Sequence, residues 1–231
     1  MCGRYTLAAA VEIVAAQFDL PHTPATLTPR YNIAPGQAVA VVRCADDGVR
    51  RLDSLQWGLV PTWAKDPAIG RRLINARAET LATKPSFRDA LRRRRCLIPA
   101  DGFYEWRRLA GRKQPYWVTR ADGRPFGFAG LWERWRGAEG QMLESCTIVT
   151  TTANASLTAI HHRMPLIVYP QHYGRWLDPA RRDARALLAL LGDGDCETLI
   201  ARPVSTAVNN PRRDAPELIA PQPPREMPSP G

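Results

Sequence analysis

Lysine is nearly missing from this chain of 231 residues: Lys65, Lys84 and Lys113 are the only lysines in a Lys+Arg total of 32. The net charge of +10 is therefore carried by arginine. Arginine forks match phosphate geometry and stack on bases, so a polyanionic partner is expected. A GC-rich genome would also favour arginine over lysine, but it does not explain the excess of positive over negative charge. Long apolar runs are absent, which excludes a membrane-spanning helix. The N-terminus shows no basic-then-apolar leader, so the expected location is the cytoplasm. None of the five cysteines, Cys2, Cys44, Cys96, Cys146 and Cys196, sits in a C-x-x-C pair, which argues against zinc and against a disulfide framework. Four of them read as small apolar packing residues, and Cys2 stands apart. There is no internal repeat and no linker long enough to separate one domain from another. One domain is expected over residues 1–220, with the proline-rich stretch 221–231 as a disordered tail.

The hydrophobic patterning predicts an α+β chain. Helical spacing covers residues 8–18, and the proline-rich stretch 21–36 reads as loop. Strands are expected at 38–43 and 49–56, and then at 96–98, 102–109, 115–120, 126–135 and 142–151. Helices are expected at 86–95, with Ser86 as N-cap, at 154–160, at about 171–176 and at 181–191. Short strands are expected at 166–169 and 198–204. Together these give a strongly twisted, mostly antiparallel sheet, barrel-like, with flanking helices packed outside.

Several residues carry chemistry. Were Met1 removed, Cys2 would lead the chain with a free α-amine and a thiol two carbons apart. Such a pair reacts with an aldehyde to form an imine, and the sulfur then closes a thiazolidine ring. The plain alternative is a small residue at a strand start. Gly3 admits a ligand close to the backbone, and Arg4 suits a phosphate. In Asp101-Gly102-Phe103-Tyr104-Glu105-Trp106, alternation places Glu105 on a face with Phe103. Desolvation there raises a carboxyl toward acid/base use, unless Glu105 simply pairs with an arginine. His161-His162-Arg163-Met164-Pro165 resembles an active-site turn or, more plainly, a capping histidine. Asn75 could orient a nucleophile, and Arg77 could grip phosphate. The segment 57–63 carries two exposed-looking tryptophans. Most of the seven tryptophans belong in a core, but Trp63 and Trp106 adjoin candidate sites and could stack on unpaired bases. The run Arg92–Arg95 fits either nucleic acid or a solvated helix end. No metal or cofactor is implied.

Seven segments taken together resemble one family. They are M-C-G-R-Y, Y-N-I-A-P-G-Q, W-G-L-V-P-T-W-A-K-D, N-A-R-A-E-T, R-R-C-L-I-P-A-D-G-F-Y-E-W, H-x-R-M-P and V-S-x-x-V-N, in order across residues 2–209. This is the pattern of the SRAP (SOS response-associated peptidase) family. The resemblance implies a single SRAP-type domain, a monomer that binds single-stranded DNA and crosslinks to abasic sites. It implies a thiazolidine formed by Cys2, with Asn75, Glu105 and His161 at the other active-site positions. It also places Arg4, Arg77, Trp106 and Arg163 where the family contacts DNA. Bound to DNA, such a protein would be associated with the nucleoid. Two rival readings stay open: a thiol peptidase built on Cys2, His161 and Asn75, and a non-covalent reader of single-stranded or modified DNA.

Overall fold

Alternating β-branched and aromatic residues make strands the commonest regular element of the chain. The computed structural model describes residues 2–22, 26–45, 47–109, 112–191 and 199–223. The strands are β1 (Tyr5–Leu7), β2 (Arg30–Ile33), β3 (Ala38–Cys44), β4 (Arg50–Trp57), β5 (Asn75–Arg77), β6 (Arg95–Ala100), β7 (Gly102–Leu109), β8 (Arg112–Arg120), β9 (Phe126–Arg136), β10 (Met142–Thr152), β11 (Arg163–Pro165), β12 (Ile167–Val168) and β13 (Leu199–Pro203). The helices are short: α1 (Val11–Gln17), α2 (Arg88–Arg93), α3 (Tyr173–Leu177) and α4 (Ala184–Ala189). No described helix is long and apolar enough to cross a membrane.

Strands β4, β3, β6, β9 and β10 close into a barrel. Every neighbouring pair in it is antiparallel except β10 and β4, which run parallel through Ser145↔Gln56 and Cys146↔Trp57. Closure removes the free edges that would otherwise invite pairing with another chain. A second sheet, ordered β13-β8-β7-β1-β2, is antiparallel throughout. Aromatic rings join the two sheets. Tyr5 on β1 meets Trp57 at 5.4 Å and Phe128 at 5.8 Å, both edge-on, and Phe103 on β7 meets Phe128 at 6.0 Å. Each such buried ring contributes roughly 2–3 kcal/mol of burial energy.

The chain passes from barrel to second sheet at Asp101-Gly102. The Asp101 carboxylate accepts from Thr6 Oγ1 at 2.5 Å and from the amides of Ala8 and Ala9 at 2.5 and 2.8 Å. It ties β1, and the entry to α1, to the head of β7. A Cβ on Gly102 would lie 2.3 Å from Trp117 Nε1, so only glycine fits there.

The expected fold class, a twisted antiparallel sheet with a barrel and few helices, is the one observed. Local departures have physical reasons. The expected loop 21–36 contains β2, hidden in the sequence by Asn32, a poor strand former. Asn32 is held in place by its side chain, whose amide donates to the carbonyls of Val208, Asn210 and Arg213. The expected helix 154–160 is a set of turns in which Thr158 Oγ1 bonds the Asn154 carbonyl, a local bond that competes with helix. Ser86 does not cap α2; Phe87 holds the cap position without a side-chain bond. Of the run Arg92–Arg95, Arg95 is buried, donating to the carbonyls of Trp176, Leu91 and Asp178. The expected tail begins tethered, because the Gln222 amide bonds the Pro203 carbonyl at 2.9 Å. Its residues 224–231 lie outside the described residues, as do Met1, Gly111 and Cys196.

Candidate active site

Strand β1 starts deep in the protein, and Cys2 just before it is enclosed. Cys2 has no exposed surface. Its carbonyl accepts a 2.8 Å hydrogen bond from Asn75 Nδ2, and its Sγ lies 3.8 Å from the Arg4 carbonyl. Asn75 reaches it from β5, which pairs in parallel with β10 through Ile148↔Asn75. Alternation along β5 buries Ala76 and turns Arg77 outward. The Asn75 Oδ1 is buried and has no partner among the described residues. Asn75 therefore grips the carbonyl of Cys2 directly, rather than its nucleophilic atoms.

Glu105 lies on β7, whose Phe103 and Glu105 share one face as alternation requires. It is buried, with 4% of its surface exposed. Burial pushes its carboxyl above the usual range, while the nearby charge of His161 pulls it down. Burial also raises the Cys2 thiol, and the Glu105 charge adds to that rise. His161 precedes β11 and is fixed by the backbone: its Nδ1 lies 3.0 Å from both the amide nitrogen and the carbonyl oxygen of Arg163. Its ring stacks on His162 at 4.5 Å.

Glu105 and His161 line an open cleft of about 520 Å³ together with Arg4, Trp106, Arg108, Lys113 and Asn209, and the enclosed Cys2 and Asn75 are not among its lining residues. Arg4 is anchored by donating to Asn32 Oδ1 at 3.0 Å and to the Val208 carbonyl at 2.8 Å. The Trp106 indole donates to Asn209 Oδ1 at 2.8 Å, which fixes the plane of the ring. Sequence reasoning passes over Asn32 and Asn209, although both lie in the quoted motifs. Their role is to orient Arg4 and Trp106, and a side-chain amide inside a motif is the only signal that could reveal it.

Other expected site residues are placed differently. Arg163 is buried: it makes a two-pronged ion pair with Glu79 at 2.6 and 3.0 Å and donates to the Thr150 carbonyl at 2.7 Å. Trp63 is 56% exposed and lines a separate cleft of about 360 Å³ with Lys65 and Arg72, sharing no residue with the first. Trp57, expected to be exposed beside it, is 1% exposed and donates to the Ile74 carbonyl.

Comparison with known proteins agrees with this architecture. The chain is 43% identical over 222 residues to the abasic site processing protein YoqW of Bacillus subtilis, covering 95% of this chain and 99% of that one. It is 34% identical to the abasic site processing protein YedK of Escherichia coli, covering 96% and 100%. A crystal structure of a protein from Bacteroides thetaiotaomicron superposes with a TM-score of 0.84 at 26% identity, covering 96% of this chain and 100% of that chain. The family model described as SOS response associated peptidase (SRAP) matches residues 1–211, and with relatives this similar along their whole length the chain belongs to the SRAP family.

Proposed function

We propose that this protein recognises abasic sites in single-stranded DNA and captures them covalently through Cys2 once Met1 has been removed. The observation that carries the reading is the hydrogen bond from Asn75 to the Cys2 carbonyl. It fixes Cys2 within reach of the charge of Glu105, a residue that lines the cleft with His161, Arg4 and Trp106. The names of the relatives, abasic site processing proteins, support the same substrate.

An abasic deoxyribose is mostly a closed hemiacetal, and it must open to expose its C1′ aldehyde. Glu105, whose carboxyl burial raises above the usual range, and His161 line the cleft and are the groups that would move that proton. The Cys2 amine adds to C1′ to give a carbinolamine. Loss of water, with a proton supplied to the departing oxygen, leaves an imine. The Cys2 sulfur then adds to C1′ and its proton passes to nitrogen, closing the thiazolidine. One aldehyde and one cysteine give one ring and one water. The buried Asn75 Oδ1 is available to accept from the new amine. Confinement makes ring closure effectively unimolecular. The ring removes an imine that would otherwise favour β-elimination, so the strand stays intact. Arg4 and Arg77 hold phosphates and Trp106 stacks a base, which favours unpaired DNA because a duplex hides its base faces.

The test incubates the protein with uracil-containing single-stranded DNA and a uracil glycosylase. A denaturation-resistant shifted band is expected, absent for Cys2→Ala and absent with unmodified oligonucleotide. Salt-sensitive binding without that band would favour a non-covalent reader. Peptide hydrolysis without it would favour a thiol peptidase.

A further inference from the structure

The β7–β8 hairpin sets two cations face to face. Arg108 and Lys113 are register partners across the two strands. Like charges directly opposite one another destabilise a sheet. Several arginines of the protein have carboxylate partners: Arg43 pairs with Asp53 and Glu144, Arg94 with Glu133, and Arg134 with Glu144. Arg108 and Lys113 make no ion pair with any described residue, and both are exposed. Arg107 and Arg112 flank them on the same hairpin and add to the local positive charge. Both side chains line the cleft that holds Glu105, Trp106 and His161. Alternation places Arg108 on the same face as Trp106, the ring held by Asn209.

We propose that Arg108 and Lys113 form a phosphate clamp that grips the DNA strand beyond the lesion. The inference rests on the reading of the cleft as a DNA site and extends it along the hairpin. Arg108 lies three residues past Glu105, which at about 3.3 Å per residue is roughly 10 Å along the strand. Because duplex rise is about 3.4 Å per nucleotide on each strand and an unpaired strand can extend further, that reach meets a phosphate within about three nucleotides of the abasic sugar. The clamp therefore fixes the path of one flank, and an anionic backbone supplies the counter-charge that the protein withholds from this pair.

The experiment measures non-covalent binding of single-stranded DNA carrying one central tetrahydrofuran residue, a lesion analogue without an aldehyde, across a range of salt concentrations. The Arg108→Gln/Lys113→Gln double variant should bind more weakly at low salt. Its log–log salt slope should be shallower by about 1.4, since each phosphate contact on a single strand contributes about 0.7. Removing the nucleotides of one flank should abolish the difference between wild type and variant, whereas removing the other flank should preserve it. A control pair outside the cleft, Arg182→Gln/Arg185→Gln, should leave the slope unchanged. An unchanged slope in the double variant overturns the clamp, as does an equal drop in the control. Covalent capture is scored separately on aldehyde-bearing DNA. Failure of wild-type protein to crosslink would overturn the proposed function, while the slope still decides whether the pair contacts DNA.

Discussion

Asn75 Nδ2 donates a 2.8 Å hydrogen bond to the carbonyl oxygen of Cys2, so residues 73 positions apart in sequence are locked together at the head of the chain. This bond fixes where the amine and thiol of Cys2 can go. Asn75→Ala removes it and leaves a buried carbonyl unpaired, a loss of about 1–3 kcal/mol. Crosslinking in a single-turnover gel assay should slow by about tenfold or more. Affinity for single-stranded DNA, measured by fluorescence anisotropy, should change little, because Asn75 lines the nucleophile and not the cleft wall. A large drop in affinity with an unchanged rate would assign Asn75 to DNA binding instead.

One alanine inserted between Met1 and Cys2 places the Cys2 nitrogen inside a peptide bond. The thiol remains, so a simple sulfur adduct is still chemically open, but a thiazolidine is not. The denaturation-resistant product should disappear while non-covalent binding persists. Mass spectrometry of the wild-type product should give a DNA-linked peptide that begins at Cys2. A stable product from the inserted form would sink the ring-closing route.

Glu105 links activity to stability with opposite signs. Its carboxyl is raised by burial, so the folded protein binds this proton more tightly than the unfolded chain. The contribution to stability is therefore full below the unfolded carboxylate value, near pH ~4.3. It is lost as pH rises through the higher folded value. Glu105→Gln removes that loss. The variant should melt at or above the wild-type temperature at neutral pH, with the gap closing toward pH ~4.5. Its crosslinking should fall by about a hundredfold, the usual scale for a positioned acid/base. Melting curves and capture rates taken in the same buffers check both halves. Equal rates in wild type and variant would remove Glu105 from the chemistry.

Arg163 should behave as a structural residue first. Its guanidinium is buried against Glu79 and the Thr150 carbonyl, and its backbone holds His161 Nδ1. Arg163→Ala should cost about 1–3 kcal/mol in urea unfolding, because it removes the bonds to half-exposed Glu79 and leaves the buried Thr150 carbonyl without its guanidinium donor. Arg163→Lys should recover little, since an ammonium cannot reproduce the two-pronged contact. If stability is unchanged and only DNA affinity falls, the ion pair with Glu79 gives way when DNA binds.

The sequence makes β7 readable because Phe103 and Glu105 alternate cleanly with Tyr104 and Trp106, and the hairpin partner supplies the same period. The barrel is harder to foresee. Its closure depends on β10 running parallel to β4, a pairing between segments about ninety residues apart that no local pattern encodes. Strand β2 escapes notice for a different reason. Its geometry is stabilised by the Asn32 side chain and by Asp214, which accepts from the amides of Tyr31 and Asn32, so tertiary bonds override weak local propensity. At the site, residue types announce Cys2, Glu105 and His161, but not what holds them. The sequence offers Arg163 as one more phosphate ligand, and only its contacts with Glu79 and Thr150 disclose that its charge is already matched. Trp63 reads as a neighbour of the site because both are aromatic-rich and basic, yet folding sends it to a different cleft.

The enclosure of the Cys2 sulfur also bears on what the protein ignores. Peroxides and small electrophiles attack thiolates at the surface, and they meet no exposed sulfur here. A reagent consumed once per encounter is useful only if it survives until the right encounter. On the proposed reading, keeping the atom walled in gives it chemical shelf life, and leaves it to answer the sugar that enters rather than whatever drifts past.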